Sequence, residues 1–181
     1  MNIIETEIPE VFILEPLIFE DDRGFIFESY NEKTFQKEIG LSRKFVQDNH
    51  SSSNRNVLRG LHFQLKQPQG KLIRVVYGEI FDVAVDLRKK SATFGHWTSC
   101  ILTSTNKRIF WIPEGFAHGF LVISDKAEIL YKTTDFYAPQ YEKTLKWDDP
   151  EVNIKWPAIS GELIVSKKDQ IGISLKELKN L

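Results

Sequence analysis

An all-β fold, a sandwich or barrel, is what this sequence predicts, and three observations carry that expectation. Segments rich in Val, Ile, Phe, Leu and Tyr recur along the chain at short spacing. Turn chemistry separates several of them, at Tyr77-Gly78-Glu79, Ser104-Thr105-Asn106-Lys107 and Ser124-Asp125-Lys126. Persuasive helix signals are confined to two brief stretches.

In chain order, VFILEPLIF and RGFIFESY open the strand series. Asn31 then caps the helical segment EKTFQKEI, which Gly40 ends. Strand signals resume in KFVQDN, VLRGLHFQ and KLIRVVYG. EIFDVAVDLR alternates, with Phe81, Val83, Val85 and Leu87 on one face and Asp82 and Asp86 on the other. HWTSCILT, KRIFWIP, HGFLVIS and AEILYKTT complete the strands, and the tail ISLKELKN reads as a short helix starting near Ser174. An eight-stranded barrel can enclose one small ligand, so polar side chains aimed inward become site candidates.

The 181 residues suit one domain with a sizeable core, and 41% of them are hydrophobic and 12% aromatic. A net charge of −1 gives no global field for nucleic acid or an anionic membrane, so an anionic ligand needs a local basic cluster. The single cysteine, Cys100, forms no internal disulfide and reads as a small apolar strand residue. No run approaches the ~18 apolar residues of a bilayer span. The start MNIIETEIPE lacks the basic region of a signal peptide. The expectation is a soluble cytoplasmic protein.

Two polar signals interrupt the strands. In LRGLHFQ, alternation sends Leu58, Gly60, His62 and Gln64 to one face and Arg59, Leu61 and Phe63 to the other. An imidazole and an amide in an apolar interior are costly unless they serve a purpose. In IPEGFAHGF, the spacing P-x-G-x-x-H of Pro113, Gly115 and His118 resembles the second motif of the cupin superfamily. Metal-binding cupins bring a His-x-His pair and a glutamate from their first motif. Here Gln64 stands where the second histidine would be, no glutamate follows, and Lys71 is close by. An amide is a poor ligand and an ammonium repels a dication, so no metal is expected.

Without a metal the constellation points to proton chemistry. A histidine such as His62 can act as a general base when a carboxylate fixes its tautomer. Asp169, in VSKKDQ, is a candidate, although such a charge run is ordinarily a solvated turn.

Nearly end to end, the chain resembles the dTDP-4-dehydrorhamnose 3,5-epimerases. The carrying segments are FEDDRGFIFESY, FVQDNHSSS, VLRGLHFQ, QGKLIRVVYGEIFDVAVDLRK, IPEGFAHGFLV, AEILYKTTDFY and the late WDDP, IKWP and SKKD. The resemblance implies a cupin double-stranded β-helix, or jelly roll, with short peripheral helices, no metal and no cofactor. It implies a single domain over 1–181, with a jelly-roll core at about 11–147 and a segment 148–181 that packs on the barrel and contributes Asp169. It also implies a homodimer, with neither nucleic acid nor membrane as partner.

The implied substrate is dTDP-4-dehydro-6-deoxy-glucose, a nucleotide-linked keto-sugar used in dTDP-rhamnose and cell-surface polysaccharide biosynthesis. Epimerisation removes a proton beside the ketone and returns one to the opposite face of the ring. By resemblance His62 is the base, Asp169 orients it, Lys71 stabilises the enolate and Tyr131 is the acid on the far face. Arg23 and Arg59 clamp the diphosphate with paired guanidinium donors. Glu28, Gln47, Asp48, Asn49, His118, Glu142 and Lys168 surround the nucleotide or sugar, and Tyr137 stacks on thymine. Phe19 and Phe25 line that pocket or join the core.

Departures from the family pattern are few: Phe63 where relatives often carry Tyr, WDDP for the commoner WND, and one residue fewer before QGK than in some relatives. Alternative readings are an epimerase of one centre or of another nucleotide keto-sugar, a metal-dependent cupin enzyme, and a non-catalytic sugar-binding cupin.

Overall fold

Two antiparallel sheets face each other across a core of Ile73, Val75, Ile80, Phe110, Phe116, Phe120 and Ile129. The computed structural model describes residues 1–40 and 43–180; Leu41, Ser42 and Leu181 lie outside the described residues. The chain runs β1 (Asn2–Glu5), β2 (Phe12–Glu15), β3 (Phe19–Asp21), β4 (Gly24–Ile26), α1 (Glu32–Ile39), β5 (Gln47–Asn54), β6 (Val57–Gln64), β7 (Lys71–Tyr77) and β8 (Glu79–Asp86). It continues through β9 (Trp97–Thr103), β10 (Ile109–Ile112), β11 (Phe116–Val122), β12 (Lys126–Thr133), β13 (Glu142–Thr144), β14 (Ile164–Val165), α2 (Lys167–Gln170) and α3 (Leu175–Lys179). One sheet has the order β1-β2-β10-β7-β12-β5; the other has β13-β6-β11-β8-β9, with β14 added beside β6. This is the all-β jelly roll expected, with short helices outside it.

Pattern explains most of the layering. On β8, Ile80, Asp82, Ala84 and Asp86 are buried, and Ile80 and Ala84 belong to the core between the sheets. Val83 and Val85 pack outward against Leu61, Leu145, Val152, Leu175 and Leu178. The acidic face of this strand is therefore interior, because the C-terminal segment covers its apolar one. Asp149 fastens that segment by accepting from the Val152 and Leu175 backbone N–H groups at 3.1 and 2.9 Å.

Both expected helices form where their caps lie. The Asn31 side chain accepts from the Thr34 N–H, and Gly40 adopts the left-handed conformation that ends α1. Ser174 and Glu177 close a reciprocal capping box on α3.

Three readings need correction. Pro16 divides VFILEPLIF, since it lacks an N–H for the sheet ladder, and β2 stops at Glu15. The strand expected in KFVQDN starts only at Gln47 and runs on through the serines to Asn54. Alternation along β6 also fails. Against β11, His62 pairs with His118 but Arg59 pairs with Phe120, so three steps on β6 match two on its partner. That bulge shifts the faces by one residue and turns Arg59 toward the facing sheet. There its Nε donates to Ser53 Oγ of β5 at 2.9 Å. Glycine is required at the crossing: a Cβ on Gly119 would lie 2.6 Å from the Arg59 carbonyl oxygen.

Candidate active site

The inward rows of β5, β6, β7 and β12 end in polar side chains at one mouth of the barrel. Gln47, Asn49, His62, Lys71, Tyr131, Tyr137 and Glu142 line a cavity of about 270 Å³ there. His62 comes from one sheet, and Tyr131, Lys71 and Asn49 from the other. An adjoining cavity is lined by Arg59, His62, Lys168 and Asp169.

Asp169 arrives by a specific route. β14 pairs parallel with β6, Ile164 with Val57 and Val165 with Leu58. Ser166 then caps α2, its hydroxyl accepting from the Asp169 N–H at 3.1 Å. The carboxylate reaches His62 Nε2 at 2.7 Å and accepts from the Gly60 N–H at 3.2 Å. Burial pushes Asp169 up, but the His62 bond and charge, then Gly60 and Ser166, hold it below the ordinary carboxylate range. With Nε2–H given to Asp169, the lone pair sits on Nδ1.

Lys71 is almost wholly buried, and its only hydrogen bond among the described residues is a long one, to the His62 carbonyl at 3.4 Å. Burial lowers it to about 8, with Asp82 and Glu142 pulling the other way. Burial raises Tyr131; Arg59 opposes this and Glu142 reinforces it, so the phenol keeps its proton at neutral pH.

The nucleotide-side candidates form a chain of contacts. Tyr137 donates its hydroxyl to Glu142 Oε2 at 2.7 Å, and Lys168 donates to the same oxygen. Gln47 accepts from the Tyr137 N–H at 3.0 Å and donates to Asn49 at 3.0 Å. Gln64 is spent on backbone, donating to the carbonyls of Gln67 and Phe136 and accepting from the Ala138 N–H at 2.8 Å. It pins the loop that carries Tyr137. Among the described residues no group of three His, Cys, Asp or Glu side chains converges as a metal site would require.

Other candidates stand apart. His118 is buried, and its Nε2 bonds Asp82 Oδ1 and Oδ2 at 2.9 and 3.1 Å. Asp48 lies on the outer face of β5, paired with Lys132 at 2.8 Å. Arg23, its side chain 89% exposed, bonds Asp21 on the β3–β4 hairpin, and Glu28 accepts from Asn31. Phe19 and Phe25 are exposed on that hairpin rather than in the core. Sequence reasoning missed Asp82; the available signal was an acid within the apolar run FDVAVD.

Residues 5–177 match a family model described as dTDP-4-dehydrorhamnose 3,5-epimerase. The Pseudomonas aeruginosa protein of that name is 55% identical over 172 residues, covering 95% of this chain and 94% of the relative. The Escherichia coli one is 52% identical over 182 residues, covering 100% and 98%. A Legionella pneumophila epimerase, solved in complex with dTDP-4-keto-L-rhamnose, superposes with a TM-score of 0.95 at 49% identity, covering 98% and 96%. The chain belongs to the dTDP-4-dehydrorhamnose 3,5-epimerase family.

Proposed function

We propose that this chain converts dTDP-4-dehydro-6-deoxy-glucose to dTDP-4-dehydro-L-rhamnose by inverting C3 and C5. The observation that carries this reading is one cavity holding the His62–Asp169 pair, the Lys71 ammonium and the Tyr131 phenol.

A keto-sugar ring in that cavity lies between an imidazole from one sheet and a phenol from the other. Nδ1 of His62 takes the proton from the carbon beside the ketone, and the C–H electron pair becomes the enolate. Asp169 holds the imidazolium that forms. The Lys71 ammonium stabilises charge on the enolate oxygen, where a fixed cation in a dry site is worth most. Tyr131 then gives its proton to the opposite face, which inverts the centre. Proton exchange with water resets both groups, and the cycle repeats at the second carbon.

Arg59 and Lys168 supply the cationic side of the adjoining cavity, suited to a diphosphate. Tyr137, held by Glu142, offers its ring to thymine, while Gln47 and Asn49 border the sugar and base and His118 lies buried behind them against Asp82. The chain works as one domain whose segment 148–181 delivers Asp169.

Arg23, Glu28 and Asp48 fit this scheme in a homodimer. The β3–β4 hairpin carries Arg23 between Phe19, Phe25 and Ile26, which are 61%, 54% and 72% exposed in the single chain. Such an apolar, arginine-bearing arm suits a second copy and brings Arg23 and Glu28 to its partner's nucleotide. The setting is cytoplasmic; among the described residues no helix is long and apolar enough to cross a membrane.

The test is conversion of dTDP-4-dehydro-6-deoxy-glucose followed by proton NMR. Appearance of the doubly inverted L-sugar is expected; inversion at one carbon only, or no turnover, would contradict the reading.

A further inference from the structure

Behind the cavity lies a charge that the mechanism above does not use. Asp82 sits in the middle of β8 with no exposure to solvent, on the inward row with Ile80 and Ala84. His118 of β11 and Lys71 of β7 are each 8% exposed, on the inward rows of their own strands. A carboxylate in such a place is costly, and apolar residues of the same volume would serve stability as well or better.

We propose that Asp82 is a positioning residue: its carboxylate fixes the tautomer of His118 and supplies the counter-charge that keeps the buried Lys71 ammonium cationic for the enolate. The inference rests on the reading of Lys71 as the enolate's cation.

The groups facing Lys71 single out Asp82. From β6 comes His62, from β11 His118, from β12 Tyr131 and from β13 Glu142. Glu142 is already shared between the Lys168 ammonium and the Tyr137 hydroxyl. Tyr131 keeps its proton. Among the described residues the Asp82 carboxylate has hydrogen bonds only from His118, and burial holds His118 below its ordinary value, so that ring is neutral near pH 7. Burial pushes Asp82 up, while His118 and the Lys71 ammonium pull it down and favour its ionised form, so the row reads carboxylate, neutral imidazole, ammonium. His118 gives Nε2–H to Asp82, which leaves Nδ1 as an acceptor with no partner among the described residues.

Asp82→Asn is the informative change, because the amide oxygen still accepts from Nε2 while the charge is gone. The protonation of Lys71 and His118 in the full-length chain is followed by carbon and nitrogen NMR, alongside kcat against pH. In the variant the Lys71 midpoint is expected to fall by about one pH unit or more, a tenfold change in its proton affinity. The alkaline limb of kcat should move with it, with KM altered less than about twofold. In a Lys71→Arg background, whose guanidinium does not titrate, Asp82→Asn should no longer move the limb. An unmoved Lys71 midpoint, or a limb that still shifts beside Arg, would overturn the proposal. Should the variant not fold, the wild-type chain decides: neutral, Nε2-protonated His118 from pH 7 to 9 is expected, and an Nδ1-protonated ring overturns it. Absence of wild-type turnover would sink the epimerase reading, while the titrations still judge Asp82.

Discussion

His62 and Asp169, 107 residues apart in sequence, meet with Nε2 and Oδ1 at 2.7 Å. One hydrogen bond thus ties β6 to the C-terminal segment, and β14 and the Ser166 cap hold its carboxylate end in place. A base built this way depends on residues far apart in the chain.

Asp169→Asn keeps the shape but removes the charge that stabilises the imidazolium. Loss of about 10²-fold or more in kcat is expected, the range in which a positioned base contributes. KM should stay within about threefold, because Asp169 touches His62 rather than substrate. Steady-state kinetics check this; a kcat within a factor of about two of wild type would remove Asp169 from the mechanism.

Tyr131→Phe removes the acid but leaves the base. Proton abstraction by His62 should continue, so in heavy water the starting sugar takes up deuterium with its configuration retained. Inverted product should fall by about 10²-fold or more. NMR of substrate and product resolves the two rates. Equal slowing of exchange and inversion would mean that Tyr131 serves binding instead.

Lys71 must be an ammonium to work, and burial lowers it to about 8 from 10.5. Activity is therefore expected to decline as pH rises through about 8, and Lys71→Met should lose about 10²-fold in kcat at pH 7. Stability moves the other way. Between the folded value and the unfolded one the unfolded chain holds more protons, so this group's contribution to stability rises with pH across that window. Urea unfolding at pH 8 and pH 10, compared between wild type and Lys71→Met, isolates it.

Mixing tests the dimer. Arg23→Ala and His62→Ala chains should each be nearly inactive alone. If Arg23 serves the partner's cavity, a randomly reassociated mixture regains about a quarter of wild-type activity, since half the dimers carry one intact site. No recovery on mixing would place Arg23 outside the partner's site.

Legibility in the sequence followed the range of the signal. The caps Asn31 and Ser174 act within one turn, so α1 and α3 were readable. β5 was half hidden because QDNHSSSN lacks the β-branched and aromatic residues that mark strands; its pairing with β12 along its whole length overrides that weak preference. The bulge between Arg59 and His62 lies in the register with β11, which no local pattern displays, and so Arg59 was read on the wrong face. Asp169 was visible only through family resemblance, because VSKKDQ by itself is an ordinary polar turn. Asp82 was placed only on the face opposite Val83 and Val85, since alternation separates two faces without saying which one the second sheet covers.

Solvent deuterium uptake measures the central claim most directly. With dTDP-4-dehydro-6-deoxy-glucose in heavy water, the wild-type chain should place one deuterium at C3 and one at C5 of the inverted product, and His62→Asn should place neither. Uptake at either carbon by His62→Asn at the wild-type rate would show that another group takes the proton.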